Sequence, residues 1–334
     1  MTRSGDLTTL VRASRLYYEL GETQETIARV LGITRPQVSR LLKQARTEGI
    51  VEIRIVDRTE RPSEVADELA RRFSLKAVHV APTFAGSEGL TRRRVGRLAA
   101  QVLVGAVRDG MTVGIGDGSS IAALADGMDD IQASVAATIV PLCGGFWGAA
   151  GGHEPYRRVT EMLGATAYGL LAPGLLDDPA TRDALAAHAG IRAVTSHWER
   201  LDVAAFGIGG PTWTEGAVGA EIMGDLERVG AVGEILISPF DIGGHFVGEA
   251  LRGRTIACDP RALARAPISI AVASGTGKIA PILGALRTGV VGVLVTDLEA
   301  AEGVLHLADS TSPGQPHADL PARAGESASP GRTP

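Results

Sequence analysis

The stretch Thr23–Ile55 reads TQETIARVLGITRPQVSRLLKQARTEGIVEIRI and holds two helical patterns around a tight turn. The first helix is predicted from Gln24 to about Leu31, with Ile27, Ala28 and Leu31 on one buried stripe. Gly32 follows and can take the left-handed conformation that ends a helix. Thr34 stands three residues before Gln37, a capping-box spacing, and Pro36 suits a first turn because no helical hydrogen bond is asked of its nitrogen. The second helix is predicted from Arg35 to about Arg46, burying Val38, Leu41, Leu42 and Ala45.

The outer face of that second helix carries Arg35, Arg40, Lys43 and Arg46 and no acid. A helix-turn-helix sets such a helix in the major groove of DNA. Gln37, Ser39 and Arg40 are placed to read bases, since arginine grips guanine and glutamine grips adenine through paired hydrogen bonds. Lys43 and Arg46 lie further along, toward phosphate, and Thr34 and Arg35 at the helix start complete the expected DNA-binding set. Gly49 to Ile55 alternates apolar and polar residues, the pattern of a strand and of a wing. Charge alone would favour a solvated basic face on an ordinary helical hairpin. The cap, the turn glycine and two correctly phased apolar stripes together favour DNA binding.

The charge is unevenly spread. Over the whole chain the net is -5, yet residues 1–56 hold nine Lys/Arg against six Asp/Glu, a net of +3, which leaves -8 for the rest. A basic head on an acidic body suits a DNA-binding head. At 334 residues, 45% of them apolar, two domains with a sizeable core are expected. Cys143 and Cys258 are far apart and show no metal or disulfide pattern. The opening MTRSGDLTTL lacks a secretory apolar core, and no run of apolar residues is long enough to span a membrane, so a cytoplasmic protein is expected.

Along the chain, Leu7–Leu20 reads as a first helix with Leu10, Ala13, Leu16, Tyr17 and Leu20 on its stripe. The head is assigned residues 1–57. Residues 58–75 come next as a linker helix started by Ser63, with Val65, Leu69 and Phe73 on one side. Residues 76–308 alternate short apolar strands with helices, as in a parallel sheet covered on both faces. The strands are expected at Ala77–Ala81, Thr112–Gly116, Thr138–Leu142, Ala167–Ala172, Asp202–Phe206, Ile235–Ile237, Ile268–Ala273 and Val291–Thr296. Residues 309–334, rich in Pro, Ser, Gly and Ala, are expected to be a disordered tail.

In such sheets a ligand sits beyond the carboxyl ends of the strands. Five strands here end in glycine or polar loops: Gly116-Asp117-Gly118-Ser119-Ser120, Gly144-Gly145, Gly207-Ile208-Gly209, Phe240-Asp241 and Ser274-Gly275-Thr276-Gly277-Lys278. Glycines let backbone N–H groups approach an oxyanion, and serines at a helix start add hydroxyls. Neither the dinucleotide fingerprint nor the Walker A spacing is met. Lys278 is one of only three lysines against thirty arginines, and it stands at a helix start where the dipole disfavours a cation. It is either a ligand-holding charge or a solvated first-turn lysine. Asp241 either accepts sugar hydroxyls or caps the turn at Gly243-Gly244. His153, His188, His197 and His245 show no metal spacing, and Asp117, Glu234 and Asp241 offer no convincing acid–base pair. No catalytic residue, cofactor or metal is assigned.

Residues 7–307 resemble the SorC/DeoR-like family of bacterial sugar-binding transcriptional regulators. The resemblance is carried by Gln24 to Ala28, Leu31 to Arg35, Val38 to Leu42, Ala45-Arg46 and Gly49 to Val51, and in the body by Leu142 to Gly145, Ala172-Pro173, Phe206 to Gly209, Val232 to Ile235, Lys278, Ala285 to Arg287 and Leu294 to Asp297. It implies a winged-helix-like head and an α/β effector domain similar to sugar-phosphate isomerases. It also implies a homodimer or homotetramer, and operator DNA binding altered by a sugar, polyol or sugar phosphate. The implied pocket is Gly116, Asp117, Gly118, Ser119, Ser120, Gly144, Gly145, Gly207, Ile208, Gly209, Asp241 and Lys278. A phosphorylated sugar is the first expectation, with its most anionic end near Lys278. Many members carry a Trp-Gly-x-Thr type loop where this chain has Asp117-Gly118-Ser119-Ser120, and the acid weakens the case for an anion there. The alternative function is a sugar-phosphate isomerase-like enzyme with an accessory DNA-binding head.

Overall fold

In the computed structural model, which describes residues 4–51, 61–129, 131, 133–145, 155–210 and 220–311, the chain divides into two units, Met1–Thr59 and Glu60–Pro334. In the first unit, helix α1 (Ser4–Ser14) runs on into a π-helical turn at Arg15–Glu19, followed by α2 (Gln24–Leu31) and α3 (Arg35–Thr47). Ala13, Ile27, Ala28, Val38 and Leu42 form its core, with Leu16, Leu31, Ile33 and Leu41 packed against them. The Thr23 hydroxyl accepts the Thr26 N–H at 3.2 Å and starts α2. Gly32, at φ +68°, ends it.

The first helix departs from its expected stripe. Leu10 and Ala13 are fully buried, but Tyr17 and Leu20 are 36% and 68% exposed. In the π turn the Leu20 N–H bonds the carbonyl of Arg15 at 3.1 Å. The extra residue in that turn rotates the later side chains off the buried face. The strand expected at Gly49–Ile55 falls mostly on residues 52–60, outside the described residues. At its start the N–H groups of Ile50 and Val51 both bond back to the Ala45 carbonyl.

The second unit has strands β1 (Ala77–Ala81), β2 (Thr112–Ile115), β3 (Thr138–Pro141), β4 (Thr166–Ala167), β5 (Val203–Gly207), β6 (Ala231–Ile235), β7 (Ser238–Asp241), β8 (Ile268–Val272) and β9 (Val293–Asp297). Seven of them form one parallel sheet in the order β1-β9-β8-β5-β2-β3-β4. Side chains alternate between its faces, as the strand period requires. Val203, Ala205, Val293 and Val295 point to one face, which carries α5 (Glu88–Ala106), α6 (Ser119–Asp126) and α7 (Pro155–Leu163). Ala204, Phe206 and Leu294 point to the other. That second face carries α4 (Arg61–Phe73), α8 (Pro179–Ala186), α9 (Ala189–Thr195), α10 (Ala220–Arg228), α11 (Glu249–Arg252), α12 (Pro260–Arg265), α13 (Ile279–Arg287) and α14 (Leu298–Ser310). Burial on both faces explains why the strands read as unbroken apolar runs.

Several sequence expectations change here. The helix read as a linker, α4, packs on the body: Leu69 is fully buried in its core with Val65 and Phe73 alongside, and Arg61 pairs with Glu302 at 2.6 Å. The strand expected at Ala167–Ala172 shrinks to Thr166–Ala167, because Leu170 and Ala172 leave the sheet to pack in the core. Ile235 closes β6, and Leu236 and Ile237 form the turn of the antiparallel hairpin β6–β7, which stands apart from the seven-stranded sheet. Helix α14 runs to Ser310, and residues 312–334 lie outside the described residues. Among the described residues no helix is long and apolar enough to cross a membrane.

The topology places a crevice near the middle of the sheet. β2 and β5 are neighbours, yet the chain leaves β2 into α6 on one face and leaves β5 toward α10 on the other. Loops that part to opposite faces open a cleft at the carboxyl ends of their strands.

Candidate DNA-reading helix and effector cleft

On α3 the side chains of Arg35, Gln37, Ser39, Arg40, Lys43 and Arg46 all reach solvent, while Val38, Leu42 and Ala45 are buried. Thr34 is the N-cap in extended conformation. The Oε1 atom of Gln37 accepts both the Thr34 N–H at 2.8 Å and the Thr34 hydroxyl at 2.9 Å. Reading adenine would need that same oxygen. Gln37 is thus engaged in holding the helix start, and Ser39 and Arg40 are the base-edge candidates whose polar atoms stand open.

The β2/β5 cleft begins at Gly116, whose N–H bonds the Ala205 carbonyl at 2.8 Å. Gly118, at φ +100°, is the N-cap of α6 and lends it no side chain. Instead the Asp117 carboxylate accepts the Gly118 N–H at 2.7 Å and sits at the positive end of α6. Ser119 is exposed and Ser120 half-buried at the same helix start. Across the cleft, the Lys278 ammonium donates to the Ile208 carbonyl at 2.8 Å. Gly209 lies so close to Glu234 that an added Cβ would stand 2.1 Å from the Glu234 carboxylate, so only glycine fits.

Glu234 is the member of this site that spacing did not reveal. Its backbone pairs with Gly209, and its carboxylate accepts the Ile237 N–H at 2.6 Å. Burial pushes its pKa from an ordinary 4.5 up to about 7, against the opposing pull of that N–H and of Lys278. Burial likewise lowers the pKa of Lys278, and Glu234 partly restores it. The Cys143 thiol is held well above its usual range, first by burial and then by the carboxylates of Asp117 and Glu234.

Other expected residues have different duties. Gly144 and Gly145 spend their N–H groups on the carbonyls of Ile256 and Ala172, both at 2.9 Å, and a Cβ on Gly144 would stand 2.5 Å from the Ala172 and Pro173 carbonyl oxygens. They staple the β3 exit to its neighbours and offer no donor to an anion. Asp241 lies at the far end of the hairpin, paired with Ala231. There it accepts the His245 N–H at 2.8 Å and stands 3.1 Å from the His245 ring nitrogen. It caps the turn, the second of its two readings. Gly207 and Ile208 do line the cleft, facing Asp117 and Lys278 respectively. No group of His, Cys, Asp and Glu among the described residues is arranged to hold a metal ion.

Residues 57–306 match the family model of a sugar-binding domain, and residues 7–60 that of a Crp-like helix-turn-helix domain. The sorbitol operon regulator of Klebsiella pneumoniae is 32% identical over 321 residues, spanning 91% of this chain and 100% of that protein. The erythritol catabolism regulatory protein EryD of Brucella abortus is 28% identical over 304 residues, spanning 88% and 95%. The crystal structure of full-length SorC from Klebsiella pneumoniae superposes with a TM-score of 0.72 at 31% identity, covering 90% of this chain and 99% of that one. The chain belongs to the SorC/DeoR-like family of sugar-binding bacterial transcriptional regulators.

Proposed function

We propose that the protein binds operator DNA in the cytoplasm through α3 and that a sugar, polyol or sugar phosphate in the β2/β5 cleft changes that binding. The observation that carries this reading is the cleft itself. Asp117, Ser119, Ser120, Glu234 and Lys278 bring acceptors, hydroxyls and an ammonium to one strand-end crevice, the mixture that matches a polyhydroxylated ligand. On the head, Ser39 and Arg40 read bases, while Arg35, Lys43 and Arg46 hold phosphate. The working form is a homodimer or homotetramer, so that paired heads meet a near-palindromic site.

Glu234 and Lys278 are an acid and a base of shifted pKa in one cleft, a pairing that enzymes also use. Both spend polar atoms on backbone partners, the Ile237 N–H and the Ile208 carbonyl, and we assign them to shaping and holding the ligand site, not to proton transfer. The test is a gel shift of operator DNA with sugars, polyols and their phosphates, paired with a thermal-shift screen of the same compounds. A compound that raises the melting temperature and alters the gel shift is the expected result. Turnover of an aldose to a ketose would establish the isomerase alternative.

A further inference from the structure

The charge arrangement of the cleft bears on what kind of sugar it accepts. A phosphate ester binds where backbone N–H groups and cations converge, and the start of α6 is the obvious place. That place already carries a negative charge. The Asp117 carboxylate lies there, accepting the Gly118 N–H at 2.7 Å, and supplies the negative charge the helix end attracts. Glu234 adds a second carboxyl group from the hairpin side, beside Gly209. Among the described loops at the carboxyl ends of the sheet strands, Lys278 is the one cation. It is committed to the Ile208 carbonyl at 2.8 Å and faces Glu234. The glycines at the β3 exit have no free N–H to offer, since those of Gly144 and Gly145 are bonded to Ile256 and Ala172.

We propose that the effector is an uncharged sugar or polyol and that Asp117 is the residue that excludes its phosphate esters. The inference rests on the effector cleft proposed above and selects one ligand class within it. A carboxylate beside two serine hydroxyls accepts from neighbouring ligand hydroxyls, and each hydroxyl can also accept from Lys278 or a serine. A phosphate monoester carries nearly two negative charges near pH 7 and only accepts hydrogen bonds, so it meets the Asp117 carboxylate as a like charge to which it has nothing to donate.

The experiment uses the full-length protein with hexitols, pentitols and free aldoses, their phosphate monoesters, and inorganic phosphate, read by calorimetry and by operator gel shift. The wild type is expected to respond to an unphosphorylated member and not to its phosphate ester. Asp117→Asn keeps an acceptor for the Gly118 N–H but removes the charge, and should tighten the phosphate ester by about fivefold or more, the scale of removing a like charge about 4 Å away at a solvent-exposed position. A wild type that binds the ester as well as or better than the free compound overturns the proposal and leaves the effector cleft standing. So does an Asp117→Asn variant with unchanged discrimination. Binding of neither class removes the cleft reading itself, and this inference with it.

Discussion

The carboxylate of Glu234 accepts the backbone N–H of Ile237 at 2.6 Å, inside a two-residue hairpin turn that contains no glycine. Leu236 and Ile237 stand at φ +50° and +64°, values that such turns usually give to Asn-Gly, and both side chains are buried. Each left-handed residue costs about 1–2 kcal/mol. Each buried aliphatic side chain returns about 1.5–3 kcal/mol, so burial against the strand-end loops holds the turn. Leu236 reaches toward Gly116 and Ile237 toward Gly174. The hairpin tip is therefore a wall of the cleft, and Glu234 is its internal brace.

Glu234→Ala should destabilise the second unit by about 1–3 kcal/mol, the cost of leaving a part-buried N–H without its acceptor. Glu234→Gln retains an acceptor oxygen and should cost less. Urea denaturation of the two variants checks the order. Equal losses would show that the Ile237 hydrogen bond is not what Glu234 contributes.

The same residue predicts a pH dependence. Its folded pKa of about 7 lies above its ordinary 4.5, so the folded state holds a proton that the unfolded chain has released. The contribution is fully present below pH 4.5 and is lost as pH rises through about 7. His79 works in the opposite direction, because burial lowers its pKa and its stabilising neutral form gains as pH rises. Subtracting the Glu234→Gln curve from that of the wild type removes the His79 part. The difference should fall between pH 4.5 and about 7 and be flat above, as read by denaturant melts across that range.

On the DNA side, Arg40→Ala should cost about 1–3 kcal/mol at the operator and relax sequence preference at one position. Lys43→Ala should weaken all sequences alike and lower the salt slope by about 1. Gln37→Ala should instead act on the fold, by about 1 kcal/mol, because its oxygen holds the Thr34 cap. Gel-shift titrations at several salt concentrations separate the three. An Arg40→Ala protein with unaltered preference would mean that another surface reads the bases.

The helix-turn-helix and the parallel sheet were legible because each is written in local patterns. The stripe through Ile27, Ala28, Val38 and Leu42 fixes a helical phase, and Gly32 marks its break. The features that were not legible depended on partners distant in sequence or on backbone conformations with no residue signature. Glu234 enters the site through Gly209 and Lys278, which lie elsewhere in the chain, and its turn lacks the Asn-Gly that announces a hairpin. Gly144 and Gly145 looked like ligand donors, since a sequence shows that an N–H exists but not that Ile256 or Ala172 has claimed it. Tyr17 and Leu20 fell off the expected stripe because one π turn changes the period.

Lys278 gives the sharpest separation of the two functions. Its ammonium reaches the Ile208 carbonyl from the start of α13, where the helix dipole opposes a cation and Glu234 compensates. A ligand hydroxyl entering the cleft would meet this donor beside Gly210, whose added Cβ would stand 3.4 Å from Nζ. Lys278→Met keeps the length of the side chain and removes the donor. A hydrogen bond to a charged group is worth about 1.5–3 kcal/mol, so the effector concentration needed for half response should rise about tenfold or more. Operator affinity without effector should stay unchanged, because coupling requires the ligand to bind two DNA-related states unequally and not that Lys278 touch DNA. The measurement is a gel shift across an effector titration on wild type and variant, with circular dichroism to verify the fold. A folded variant that no longer binds operator would make Lys278 an assembly or DNA residue. A variant that responds at the wild-type concentration would take Lys278 out of the ligand site.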